Sequence, residues 1–179
     1  MRTRNAQTGL TLVELMVALA VAIVLLAVGI PTYQGLEANN RAASQSQALV
    51  TALSLARSEA IGRGIPVSVC ARSTDTACGP STSWANGWLV FTDAAGTAGV
   101  LDGSDEVIKV FEAPRGRPTI APTPTTVAAL VFNSRGEQAG ANPVEARLQL
   151  DQANTTAGQT RCVRVGPSGQ VISERKVCT

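Results

Sequence analysis

An almost unbroken apolar run from Leu10 to Ile30 constrains this chain more than any other feature, and it is entered directly from the short leader Met1-Arg-Thr-Arg-Asn-Ala-Gln-Thr-Gly9. A helix rising about 1.5 Å per residue covers roughly 30 Å over that run, the thickness of a bilayer's hydrocarbon core. Arg2 and Arg4 precede it, which places the leader in the cytoplasm and the rest of the chain outside. The order of parts is not that of a secretory signal, whose small-residue cleavage site follows a shorter apolar stretch. Here Gly9 comes first, so a cut there removes the basic leader and keeps the helix. Glu14 interrupts the run, and an unpaired carboxylate at the bilayer centre costs about 2.5–3.5 kcal/mol. A freed α-amine at Leu10 is a cation suited to neutralise it, on the same chain or on a neighbour. Gly29 and Pro31 close the run, and a proline there removes a backbone hydrogen bond, which predicts a kink.

The stretch Gly9-Leu10-Thr11-Leu12-Val13-Glu14-Leu15-Met16-Val17 resembles the type IV prepilin processing motif. The resemblance implies cleavage after Gly9 by a prepilin peptidase, methylation of the new amine at Leu10, and a docking role for Glu14 in a growing filament. Leu10 stands where that family usually has phenylalanine.

Beyond Pro31 the pattern stays helical to about Ile61. Ala42, Ser46, Leu49, Leu53, Ala56 and Ala60 fall on one face at i, i+3 and i+4 spacing, which predicts a helix lying on a sheet. The other face carries Asn39, Arg41, Gln45, Gln47, Arg57 and Glu59 and reads as solvated or facing a neighbouring subunit. Gly62 and Gly64 supply the helix stop. Short strands follow over 65–71, 88–92, 106–111, 130–133, 146–150, 162–165 and 171–173, separated by turn residues. The stretch 114–126 contains Pro114, Pro118, Pro122 and Pro124 and reads as a loop or edge crossing. The expected fold class is α+β: a long N-terminal helix, membrane-spanning in its first half, packed on an antiparallel β-domain. The expected division is leader 1–9, transmembrane or filament-core helix 10–31, and periplasmic domain 32–179, since 179 residues suit one compact core plus an appendage.

The chemistry this composition supports is limited. There is no histidine, which removes the commonest general base and the commonest zinc ligand together, so no catalytic site, metal or cofactor is expected. Cys70, Cys78, Cys162 and Cys178 lack the close spacing of metal ligands; in an exported segment they read as disulfides, with proximity favouring 70–78 and 162–178 among the three connectivities. Asp102-Gly-Ser-Asp105-Glu106 fails the EF-hand spacing and reads as a polar turn. Arg161, Arg164, Arg175 and Lys176 outnumber the neighbouring Glu174 and form a candidate DNA-phosphate surface.

Gly87-Trp88-Leu89-Val90-Phe91-Thr92-Asp93, preceded by Ala56-Arg57-Ser58-Glu59-Ala60-Ile61, resembles the minor pilin branch that contains FimT, FimU and the type II secretion pseudopilin GspH. That resemblance implies a low-abundance subunit near a filament tip that helps to start assembly. Its partners would be major and minor pilins or pseudopilins, the inner membrane with its assembly platform, and the prepilin peptidase. The alternatives are an H pseudopilin of a type II secretion system and a DNA-binding minor pilin. FimT-like proteins bind DNA through Gly-Arg-x-Arg, whereas the comparable stretch here is Gly169-Gln170-Val171-Ile172, which leaves only diffuse charge. Trp88 and Phe91 read as buried strand residues rather than ligand-binding aromatics.

Overall fold

A computed structural model describes residues 11–116, 118–139, 145–151 and 160–178, with the side chains of 28, 30, 31, 32 and 34 outside that set. The chain divides into two units, residues up to Glu37 and Ala38–Thr179. A single helical element, α1 (Leu12–Arg63), contributes to both. Among the described residues, no helix is long and apolar enough to cross a membrane.

In the second unit α1 meets its predicted role. Ala42, Ser46, Leu49, Leu53, Ala56 and Ala60 are all buried, together with Ala52. The alanines bring the helix axis close to the sheets, while Leu49 and Leu53 fill the space between them. Gly64 ends the helix, its N–H donating to the Ala60 carbonyl at 3.0 Å. The polar face is less uniform than its composition suggests: Gln45 is buried and donates from Nε2 to the Arg115 carbonyl at 2.6 Å.

Two antiparallel sheets pack on this part of α1. The first contains β1 (Val67–Thr74), β2 (Ala77–Cys78), β3 (Trp88–Thr92), β4 (Val107–Phe111), β6 (Ala129–Phe132) and β7 (Gln138–Ala139), in the order β4-β3-β1-β6-β7 with β2 beside β1. The second contains β5 (Thr119–Thr123), β8 (Ala146–Asp151), β9 (Arg161–Val165) and β10 (Val171–Glu174), in the order β10-β9-β8-β5. Register at the centre of the first sheet aligns Val69 with Val90 on one side and with Leu130 on the other. In the second it aligns Leu148 with Val163.

One core unites these layers. Leu49, Leu53 and Ala56 of α1 join Val69, Trp88, Val90 and Phe132 of the first sheet and Leu148, Leu150, Val163 and Val165 of the second. A smaller cluster, Cys70, Leu89 and Phe91, lies on the other face of the first sheet. Burial on both faces explains why β3 reads as a continuous apolar run rather than an alternation. Trp88 and Phe91 are core residues, as expected.

The proline-rich stretch holds one strand that its composition concealed. β5 alternates exposed Thr119, Ala121 and Thr123 with buried Ile120 and Pro122. Among the described residues it pairs only with β8, so Pro122 sits on an edge strand, where a missing N–H is tolerated. A 3-10 turn over Ser81–Asn86 was also absent from the sequence pattern; it buries Trp84, whose Nε1 donates to the Val127 carbonyl at 3.0 Å.

Candidate functional site

Gly9 and Leu10, the expected cleavage and methylation positions, lie outside the described residues. The described helix begins just beyond them, and its first turn shows a role for Glu14 that the sequence reading missed. Thr11 caps α1, its Oγ1 accepting from the Glu14 N–H at 3.3 Å. Glu14 is thereby the third residue of the helix, where a carboxylate interacts favourably with the amide end of the helix dipole. The signal was present as Thr-x-x-Glu ahead of an apolar run. From Leu12 to Leu26, eleven large apolar side chains are each more than half exposed. Gly29 and Pro31 lie inside α1, which stays helical through both positions.

Both cysteine pairs are bridged as proximity favoured. Cys70 of β1 joins Cys78 of β2, with Cα atoms 5.7 Å apart, and Cys162 of β9 joins Cys178, with Cα atoms 5.2 Å apart. The second bridge returns the carboxyl end to the outer face of the second sheet, where the Cys178 N–H donates to Gln149 Oε1 at 3.2 Å.

The four basic residues near that end do not act as one patch. Arg161 pairs with Leu150 across the strands, on the side facing α1, and donates to Asn39 Oδ1 at 3.3 Å. Arg164 lies on the outer face beside Arg147. It meets Glu145 at 2.9 Å and Glu174 at 3.5 Å, while Lys176 meets Glu174 at 2.9 Å. Arg175 is also engaged. Hydrogen bonds from Arg147 and Arg164 hold the Glu145 carboxyl below its ordinary range, and Lys176 does the same for Glu174.

In the loop from Asp93 to Glu106, carboxylates bind backbone amides. Asp105 accepts from the N–H groups of Ala94, Ala95 and Asp102, and Asp102 accepts from that of Thr97 at 3.0 Å. Asp93 is buried and accepts from Ser68 Oγ and from the Gly99 N–H at 2.8 Å. Burial pushes the Asp93 carboxyl up, the charges of Asp105 and Asp102 add to this, and the two hydrogen bonds oppose it. Among the described residues no group of His, Cys, Asp or Glu is arranged to hold a metal ion. The Asp102–Glu106 segment is a turn, as its spacing indicated.

A capped apolar helix leading into an antiparallel head with two disulfides is the build of a pilin-like filament subunit. The profile of the type II transport protein GspH family matches residues 45–169, and that of the prokaryotic N-terminal methylation motif matches residues 4–30. The chain belongs to the GspH family. Among solved structures, the fold is similar to that of the type IV minor pilin FimU of Pseudomonas aeruginosa in two crystal forms. The first is 21% identical with a TM-score of 0.58, covering 75% of this chain and 89% of that one. The second is 21% identical with a TM-score of 0.54, covering 73% and 90%. No curated protein sequence matches.

Proposed function

We propose that the chain is a minor pilin of a type IV pilus, cut after Gly9 and methylated at Leu10, that helps to start assembly near the filament tip. The observation that carries this reading is the exposed apolar surface of α1 from Leu12 to Leu26 behind a capped, acidic first turn. So much apolar surface is favourable only when covered by lipid or by other helices. In this reading residues 10–31 anchor the subunit in the bacterial inner membrane and later line the filament core. Residues 32–179 form the periplasmic domain, and a neighbour's freed amine meets Glu14. Gly29 and Pro31 act as a weak point within a continuous helix. The partners are other pilins, the assembly platform and the prepilin peptidase. The role is structural rather than enzymatic.

The likeness to FimU over most of that chain and the two disulfides support the pilus. The match to a family described as type II transport proteins supports a second reading, a minor pseudopilin of a type II secretion machine. Deleting the gene and scoring surface pili and exoprotein secretion side by side separates them. Loss of pili with secretion intact is expected; the reverse outcome would replace the pilus with the secretion machine. DNA binding draws less support, because Arg164 and Lys176 already share Glu145 and Glu174. Retardation of DNA by the full-length protein in detergent at low salt would revive it.

A further inference from the structure

We propose that Arg57 is a clasp that closes both sheets of the head onto α1, and that local opening of the head releases the turns after β6 and β9 together. Arg57 stands between Ala56 and Ala60, whose burial holds this part of the helix close to the sheets. Its Nε donates to the Gly136 carbonyl at 2.9 Å, and its second terminal nitrogen donates to the Ser168 carbonyl at 3.1 Å. Gly136 belongs to the turn between β6 and β7 of the first sheet, and Ser168 to the turn between β9 and β10 of the second. One guanidinium therefore joins three elements that lie far apart in the chain.

The two turns also interlock directly. The Gln138 N–H donates to the Pro167 carbonyl at 3.0 Å. Gly169 has φ +73°, and a Cβ there would lie 1.8 Å from the Gly136 oxygen, so the backbones meet at a distance that only glycine permits. Gly136, at φ +74°, is pressed in turn against Ile61 and the Arg57 stem, where a Cβ would come within 2.6 Å of Ile61 Cδ1. Arginine suits the position because its planar fork presents several donors in fixed directions, whereas a lysine ammonium serves as a point charge. Arg57 also differs from its neighbours in its partners. Arg63, Arg72, Arg135, Arg147 and Arg164 each meet a carboxylate, while Arg57 meets none among the described residues and spends its donors on turn carbonyls.

A groove of about 450 Å³ lies beside the clasp, lined by Ser54, Arg57, Ile61, Gly169 and Val171 among others. Water thus reaches the clasp from one side, unlike the core strands, and opening there costs less than global unfolding. In a filament, where neighbours would hold the helix, this contact sets how firmly the head grips it. That consequence rests on the assembly reading above; the clasp itself does not.

The test is hydrogen–deuterium exchange on the full chain in detergent micelles, read by mass spectrometry. Arg57→Gln is expected to accelerate exchange roughly tenfold, equivalent to about 1.4 kcal/mol, in peptides covering 133–139 and 166–171. Peptides of β1 and β3 should keep their wild-type rates. Arg57→Lys should restore part of the protection, and Gly169→Ala, which leaves Arg57 in place, should release the same two segments. If Arg57→Gln does not fold, the latter two variants carry the comparison. Wild-type exchange in both turns, release of one turn without the other, or equal acceleration in every strand would overturn the proposal.

Discussion

Removing the bridge between Cys162 and Cys178 with a Cys162→Ala/Cys178→Ala double variant should destabilise the head by an amount set mainly by the unfolded chain. The two cysteines are 16 residues apart, and cross-linking a loop of that size removes denatured-state entropy equivalent to about 3 kcal/mol. The bridge between Cys70 and Cys78 spans 8 residues, which gives about 2.5 kcal/mol on the same relation, roughly 0.6 less. For a head of this size, about 3 kcal/mol corresponds to a fall in Tm of about 6–12 °C. Urea unfolding of the full chain in detergent measures the loss directly. The native state adds a local signature: without the bridge the tail keeps non-covalent contacts, such as that of Cys178 with Gln149 and of Lys176 with Glu174, and loses its covalent tie. Trypsin should then cut after Arg175 or Lys176 at least several-fold faster than in the bridged protein. A loss below about 1 kcal/mol, or one several-fold smaller than that of Cys70→Ala/Cys78→Ala, would refute the loop-entropy account.

Glu14→Ala is expected to leave cleavage at Gly9 intact while the subunit fails to enter filaments, scored by immunoblot of sheared filaments; normal filament content would remove the docking role. Leu53→Ala, at a fully buried position between α1 and both sheets, should cost about 2–5 kcal/mol in urea unfolding. Asp93 and Glu145 carry opposite pH signatures. The raised Asp93 carboxyl contributes stability that is present below its unfolded pKa and lost as pH rises through its folded value. The gap between wild type and Asp93→Asn should therefore widen in favour of the variant as urea midpoints are followed upward from about pH 4. The lowered Glu145 carboxyl contributes stability above its unfolded pKa that is lost as pH falls through its folded value. Because that carboxylate stays partly open to solvent, Glu145→Gln should flatten the acid limb only slightly.

Much of the fold was legible because its signals are local. The buried stripe of α1 follows from spacing alone, and all six positions assigned to it are buried. The strand at Trp88–Thr92 was read with its observed bounds, and both cysteine pairs followed from nearness in the chain. The stretch holding β5 reads as a loop or edge crossing because its prolines mask the alternation; the structure shows an edge strand, which is where a proline can sit. β2 and β7, two residues each, are too short to show any period.

The sequence by itself determined that an apolar helix with a basic leader, an early glutamate and an amphipathic continuation would precede a light β-rich head. Period and the order of small, charged and apolar residues are properties of neighbouring residues and need no partner to be seen. Only the tertiary structure decided where the charges go. Gln45 and Arg57, whose face reads from composition as solvated or subunit-facing, are tied to carbonyls of Arg115, Gly136 and Ser168. The basic group near the carboxyl end is divided between the α1 side and an outer face held by Glu145 and Glu174. Those partners lie up to 122 positions away in the chain, and long polar side chains reach whatever strand order and turn geometry bring near them.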